Sequence, residues 1–246
     1  MTMQTWGITD PGNIRQQNQD SFSIVSLGRD RALLIVCDGM GGAKSGNVAS
    51  SLAVEVFTEE VRRSQKRVMS RDQAAQMLQG ALTLANKAVY EQSVLSEEFS
   101  GMGTTLVAAY ILKDCAVIIN VGDSRAYHVS SAEGISLVTR DHSIVEYMVE
   151  RGELTCEQAK SHPVKNVITR AVGTEETVEG DVFVLPVKKD DCLLLCSDGL
   201  SNEMADQEIL FEVAHGVRKN DCCERLLAIA KNRGAPDNVT AVMAVL

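Results

Sequence analysis

The sequence predicts an α+β fold of two packed antiparallel β-sheets flanked by helix pairs, an α-β-β-α sandwich with one inserted flap. Three observations carry that expectation. Strand-like runs succeed one another through turns as short as Leu112-Lys113-Asp114-Cys115, which join antiparallel neighbours, whereas parallel strands need long crossovers. Helical patterns arrive in pairs between runs of strands. From about 140 to 175 the alternation breaks into short helical pieces and polar turns, the flap.

In chain order, strand-like segments cover about 4–9, 21–27 and 32–37, the last an apolar run of the length of a buried strand. A helix follows Ser45, because Ala49, Leu52, Ala53, Val56, Phe57 and Val61 recur at the spacing of one buried face. A second opens at Ser70-Arg71-Asp72-Gln73, a capping box whose first and fourth side chains satisfy loose backbone donors. Ala74, Leu78, Ala81, Leu82, Ala85, Ala88 and Val89 continue its apolar face. Further strands are expected at 104–112, 115–121, 124–130, 135–139, 181–187, 192–196 and 239–245, and helices at 206–215 and 219–232. Only four prolines and no low-complexity tract interrupt the 246 residues, so one domain spanning 1–246 is expected, with the flap inside it.

A balance of 24 basic against 33 acidic residues, net −9, argues against a nucleic-acid partner. No apolar stretch approaches the ~18 residues that span a bilayer. The start, Met1 to Trp6, lacks the basic and apolar regions of a signal peptide, so the expectation is a cytoplasmic protein with no membrane partner. The seven cysteines include no Cys-x-x-Cys pair, and Cys37, Cys115, Cys192 and Cys196 sit in or beside apolar runs, as reduced structural thiols do.

Two of the apolar runs stop at the same dipeptide, Asp38-Gly39 and Asp198-Gly199. Each aspartate is thereby expected where a buried strand gives way to a turn, a costly place for a carboxylate unless it is paired, hydrogen-bonded or bound to a cation. Asp20, Asp123 and Asp237 also adjoin strand-like runs. Alone, each fits a turn or a cap. Gathered, the five would repel one another unless cations neutralised them. Oxygen donors without His or Cys partners select Mg²⁺ or Mn²⁺ over zinc. Glycine at position 39 lets the backbone approach an ion, which makes the Gly39 carbonyl a candidate ligand. Two divalent ions about 4 Å apart suit phosphoryl chemistry. Arg15, just upstream of Asp20, is the candidate to hold two phosphate oxygens in its planar fork.

These residues stand in eight motifs that follow in order along the chain. They are Gly12-x-x-Arg15-x-x-Asn18-x-Asp20, Val36-x-Asp38-Gly39-x-Gly41-Gly42, Gly101-x-x-Thr104-Thr105, Val121-x-Asp123-x-Arg125, Arg140-x-His142-Ser143, Asn166-x-x-Thr169-Arg170-x-x-Gly173, Ser197-Asp198-Gly199-Leu200 and Asp237-Asn238-x-Thr240. With them the chain resembles the metal-dependent serine/threonine protein phosphatases of type 2C, the PPM phosphatases, in their compact bacterial form. The resemblance implies a metal cleft between the sheets. Asp38 would bridge two Mn²⁺ or Mg²⁺ ions, Asp198 and Asp237 would complete the first site, and the Gly39 carbonyl would join the second. Asp20 would act through metal-bound waters, Asp123 with Asp198 would hold a weaker third ion, and Arg15 would bind the substrate phosphate. The flap would shape substrate choice. The implied partners are phosphorylated proteins and an opposing Ser/Thr kinase of a bacterial cytosol, with the phosphatase a monomer.

Two departures from many eukaryotic members are Gln19, in place of an acidic residue, and Met40, in place of a histidine assigned as proton donor. Met cannot donate a proton, so a metal-bound water is expected to do so. Met40 also argues against an aspartyl-phosphate route at Asp38, which usually needs a second acid two residues on. His128, His142, His162, His215, Thr104, Thr105, Ser124 and Ser197 are expected in structural roles. The rival reading is a catalytically silent phosphoprotein-binding module, whose mark is loss of metal ligands; every expected aspartate is present.

Overall fold

Side-chain alternation in one strand shows how the chain layers. In β3 (Ala32–Met40), Ala32, Leu34 and Val36 enter one apolar cluster and Leu33, Ile35 and Cys37 another, and all six are buried. A strand's successive side chains point to opposite faces, so an unbroken apolar run marks a strand covered on both. One face of β3 meets a second sheet and the other meets helices. The computed structural model describes residues 3–41, 45–95, 97–215 and 219–246. Gly42 of the Val36–Gly42 motif lies outside the described residues.

The first sheet runs β1 (Gln4–Asp10), β11 (Val239–Val245), β10 (Cys192–Cys196), β7 (Arg125–Ser130) and β8 (Gly134–Leu137). The second runs β2 (Asp20–Ser26), β3, β5 (Leu106–Ile111), β6 (Cys115–Val121) and β9 (Asp181–Pro186), with the short β4 (Gly103–Thr104) on the end of β3. Every pairing is antiparallel. Between the sheets, Leu34, Val36, Val107 and Ile118 pack with Leu193, Leu195 and Val242. Outside the second sheet lie α1 (Gly46–Ser64) and α2 (Arg71–Leu95), anchored by Phe57, Leu78 and Leu82. Outside the first lie α6 (Asp206–His215) and α7 (Cys222–Asn232), anchored by Ile209, Val213 and Leu226. The expected α-β-β-α sandwich is the observed architecture.

Local signals explain the ends of several elements. The capping box before α2 forms: Gln73 N–H donates to Ser70 Oγ (3.2 Å) and Ser70 N–H to Gln73 Oε1 (3.0 Å). Within 140–175, α3 (Ile144–Glu150) is capped by Ser143, and α4 (Cys156–Lys160) by the reciprocal pair Thr155 and Gln158. One four-residue helix, α5 (Asp198–Ser201), follows β10 directly. All seven cysteines are free thiols, and only Cys156 is exposed. Among the described residues no helix is long and apolar enough to cross a membrane.

The structure corrects two expectations. The strand expected over 104–112 is broken at Thr105, which separates β4 from β5. Asp38 does not end its strand either, since β3 continues to Met40 and pairs Gly39 with Thr104 and Met40 with Gly103. Both have one cause. Thr105 accepts the Asp38 N–H at its side-chain Oγ1 (2.9 Å) and donates its own N–H to the Asp38 carbonyl (2.8 Å). A hydroxyl thus replaces a backbone carbonyl in the ladder, and the strand passes through with a local break in its partner.

The inter-sheet core yields a stability prediction. Leu34→Ala removes a fully buried side chain between the sheets and costs about 2–5 kcal/mol, whereas Leu84→Ala, on the exposed side of α2, costs under about 1 kcal/mol. Urea unfolding of both variants measures the difference. Equal midpoints would contradict this packing.

Candidate active site

The acidic residues meet at one end of the seam between the sheets. The β2–β3 register sets Asp20 directly opposite Asp38, which puts two carboxylates on one face of neighbouring strands. Asp123 lies in the connection from β6 of the second sheet to β7 of the first. From the first sheet, Asp198 opens α5 just after β10, and Asp237 precedes β11. A cleft of about 280 Å³ is lined by Arg15, Gln19, Asp38, Gly39, Met40, Gly41, Thr105, Asp123, Asn166, Ile168, Asp198 and Asp237. Of the seven residues singled out from the sequence, six line it. The seventh, Asp20, is buried behind it.

Hydroxyl groups hold these carboxylates in place. Asp20 Oδ2 accepts from Ser197 Oγ (2.7 Å) and Thr240 Oγ1 (2.6 Å), so a residue of the second sheet is tied to β11 of the first and to the residue that follows β10. Thr105 Oγ1, already bonded to the Asp38 backbone, also shares a hydrogen bond with Ser124 Oγ (2.7 Å), next to Asp123. Asn238 accepts the Gln19 N–H at its Oδ1 (2.8 Å) and donates to the carbonyls of Pro11 and Gln17 (both 3.0 Å), which fixes the loop that carries Arg15. Arg15 Nη2 donates to Asp237 Oδ2 at 2.8 Å, with more than half of its side chain in solvent. Gly39 lies against Gly46 and Gln19, and a Cβ there would overlap their carbonyls. Only bare backbone fits at that point of β3.

Burial and mutual repulsion raise the affinity of the cluster for protons. Burial first, then the charges of Asp20, Asp198, Asp123 and Asp237, push Asp38 well above the usual carboxylate range. Burial likewise pushes Asp20 to about 7 against the pull of Thr240 and Ser197, and Asp123 to about 8 with help from Asp198 and Asp141. Asp198 is raised by burial and by Asp237.

These residues fit a hard divalent cation. The anionic donors around the cleft are carboxylate oxygens, and one carboxylate oxygen each of Asp20 and Asp198 is buried without a hydrogen-bond partner. Among the described residues no three His, Cys, Asp or Glu side chains stand together as a set that could hold one metal ion, so cation binding would require the carboxylates around the cleft to draw closer.

Comparison with known proteins assigns the family. Residues 14–236 match the family model for protein phosphatase 2C. The chain belongs to the protein phosphatase 2C family. It is therefore a metal-dependent serine/threonine phosphatase. It is 36% identical over 236 residues to the serine/threonine phosphatase stp of Listeria monocytogenes serotype 4b, covering 96% of this chain and 92% of that one. The crystal structure of the serine/threonine phosphatase Stp1 from Staphylococcus aureus superposes with a TM-score of 0.92 at 34% identity, covering 100% of this chain and 96% of that one. The catalytic domain of the serine/threonine protein phosphatase PstP, solved with two manganese ions, gives 0.85 at 30% identity, covering 99% and 98%.

Sequence reading missed some of the cleft in this 2C-type phosphatase. Asn166 and Ile168 reach it from the 140–175 segment, and Thr105 faces it. Asn166 and Thr105 stand in the quoted motifs and Ile168 falls at an unspecified position of one, but nothing in their spacing distinguishes a cleft wall from a structural turn. A second groove, about 540 Å³, runs between α3, α4 and the α5–α6 region and opens on Asp123 and Asp198.

The raised carboxylates predict a pH dependence. Asp20 and Asp123 hold protons more tightly folded than unfolded, so their contribution to stability is fully present below the unfolded carboxylate range and is lost as pH rises through about 7 to about 8. In chelator, the thermal midpoint should therefore fall between about pH 5.5 and about pH 8, and Asp123→Asn should flatten part of that fall. A midpoint that rises over this window would contradict the electrostatic reading.

Proposed function

We propose that the cleft hydrolyses phosphoserine and phosphothreonine esters of proteins by direct attack of water, without a phosphoenzyme. The observation that carries the reading is the convergence of Asp38, Asp123, Asp198 and Asp237 on one cleft with the Arg15 guanidinium at its edge. In this reading Asp38 would serve two Mn²⁺ or Mg²⁺ ions, Asp198 and Asp237 would complete the first site, and the Gly39 carbonyl would join the second. Asp123 and Asp198 would hold a weaker third ion. When bound, such ions neutralise the carboxylates, attract phosphate oxygens and acidify water.

The chain's own residues supply the rest. Asp20, fixed by Ser197 and Thr240, adds negative charge behind Asp38 and orients water at the cation site. Arg15 exchanges Asp237 for the phosphate of the incoming substrate. Its long, half-exposed side chain supports that exchange, since two phosphate oxygens match its fork as well as a carboxylate does. Met40 contributes no proton, and among the described residues lining the cleft there is no histidine, so the leaving alkoxide takes its proton from water. The groove beside α3 and α4 supports a role for the 140–175 segment in choosing the peptide around the phosphorylated residue.

The proposed setting is a bacterial cytosol, where a single-domain monomer spanning 1–246 opposes a Ser/Thr kinase. The seven free thiols support a reducing compartment.

Hydrolysis of a phosphothreonine peptide tests the reading. Turnover should vanish with EDTA and return with Mn²⁺ or Mg²⁺, Asp38→Asn should lower kcat by about 100-fold or more, and Arg15→Ala should lower kcat/KM by about 10- to 100-fold. Turnover that persists in EDTA would contradict the metal assignment. No turnover with either metal, in folded protein, would favour a silent phosphoprotein-binding module.

A further inference from the structure

His142 is one of four histidines and lies away from the cleft lining, yet it joins three separated parts of the chain. Its ring is nearly buried, and its Nδ1 accepts the Gly122 N–H at 3.1 Å. A nitrogen that accepts carries no proton, so the ring proton resides on Nε2. That atom lies 3.3 Å from both Asp181 Oδ2 and Arg170 Nη1, and the same Arg170 Nη1 donates to Asp181 Oδ1 at 2.8 Å, so the three side chains form one cluster. The backbone repeats the connection. His142 N–H donates to the Gly122 carbonyl (2.9 Å), and Thr169 N–H donates to the His142 carbonyl (2.8 Å). Both ends of the 140–175 segment, at Arg140–Ser143 and Ile168–Arg170, therefore close on one imidazole, helped by the bridge between Ser143 and Ile168.

Gly122 is the residue before Asp123. Its φ of +102° suits glycine alone, and a Cβ there would come within 2.6 Å of Thr105 Cγ2. Thr105 is in turn bonded to the Asp38 backbone and to Ser124. The turn that aims Asp123 at the cleft thus has a rigid wall on one side, Thr105, and the His142 ring on the other. Asn120 adds a bond to the Gly122 carbonyl (3.2 Å) and one to the Arg140 carbonyl (3.0 Å).

We infer that His142 is a positioning residue whose Nδ1 fixes the Gly122–Asp123 turn while its Nε2–H, on Asp181, secures the base of the 140–175 segment, so that the placement of Asp123 and the anchorage of that segment form one unit. Its consequence for cation binding rests on the reading of the cleft given above. The consequence for the turn does not.

The experiment reads both parts without relying on turnover. In metal-free protein, amide exchange followed by NMR should show Gly122 exchanging about tenfold faster in His142→Ala, the factor that one net hydrogen bond supplies. His142→Asn, whose Oδ1 replaces Nδ1 as acceptor, should restore protection, and His142→Gln should not. Asp181→Ala alters a partly exposed side chain and should also speed Gly122 exchange, which keeps the test open if His142→Ala does not fold. Mn²⁺ titration by calorimetry should show the weakest binding step shifted about tenfold in His142→Ala and recovered in His142→Asn. Unchanged Gly122 exchange in the folded variants, or equal rescue by Asn and Gln, would overturn the role of Nδ1. Faster exchange with an unchanged Mn²⁺ titration would overturn the link to Asp123.

Discussion

A cross-strand pair of like charges governs this structure. Asp20 and Asp38 face each other on β2 and β3, and burial adds a desolvation cost to their repulsion. An antiparallel pair of strands would ordinarily avoid that arrangement. The fold sustains it with fixed hydroxyls: Ser197 and Thr240 on Asp20, Thr105 on the backbone of Asp38. Because Ser197 directly follows β10 and Thr240 lies in β11 of the first sheet, while Asp20 opens β2 of the second, the same bonds that steady the carboxylate also lock the sheets in relative position. The packing of Leu34 and Val36 against Leu193, Leu195 and Val242 is then a requirement of the site as well as of stability. Sliding one sheet past the other would carry Asp198 and Asp237 away from Asp38.

The remaining acids arrive by topology. Asp123 sits where the chain crosses from one sheet to the other, the one connection able to reach both halves of the cleft from β6. Asp198 follows β10 and Asp237 precedes β11, neighbouring strands that run in opposite directions, so their two ends lie side by side. The 140–175 segment closes the same end from outside, and its Asn166 and Ile168 complete the wall. The segment's two ends meet at His142, beside the turn that carries Asp123.

Most of the fold was legible because its signals are local. The apolar run 32–37, the spacing from Ala49 to Val61 and the Ser70–Gln73 box each report a strand, a helix face and a helix start without reference to the rest of the chain. The acids and Arg15 were legible as members of a set, through their motifs. Pairings over long distance were not. No local pattern says that Asp20 stands opposite Asp38, that Thr105 substitutes its hydroxyl for a backbone acceptor, or that Arg15 reaches Asp237 from 222 residues away. The strand break at Thr105 escaped for the same reason, since Thr104 to Leu112 reads as continuous β sequence until the Asp38 contact is known.

In the function proposed above, this buried anionic cluster is a cation site held ready by neutral hydroxyls. Calorimetric titration of Mn²⁺ into metal-free protein in buffers of different ionisation heat tests it most directly. Carboxylates raised by burial and mutual repulsion must lose protons when a cation binds, so binding should release protons increasingly below about pH 8 and should be abolished in Asp38→Asn. Binding that releases no protons, or that survives unchanged in Asp38→Asn, would contradict it.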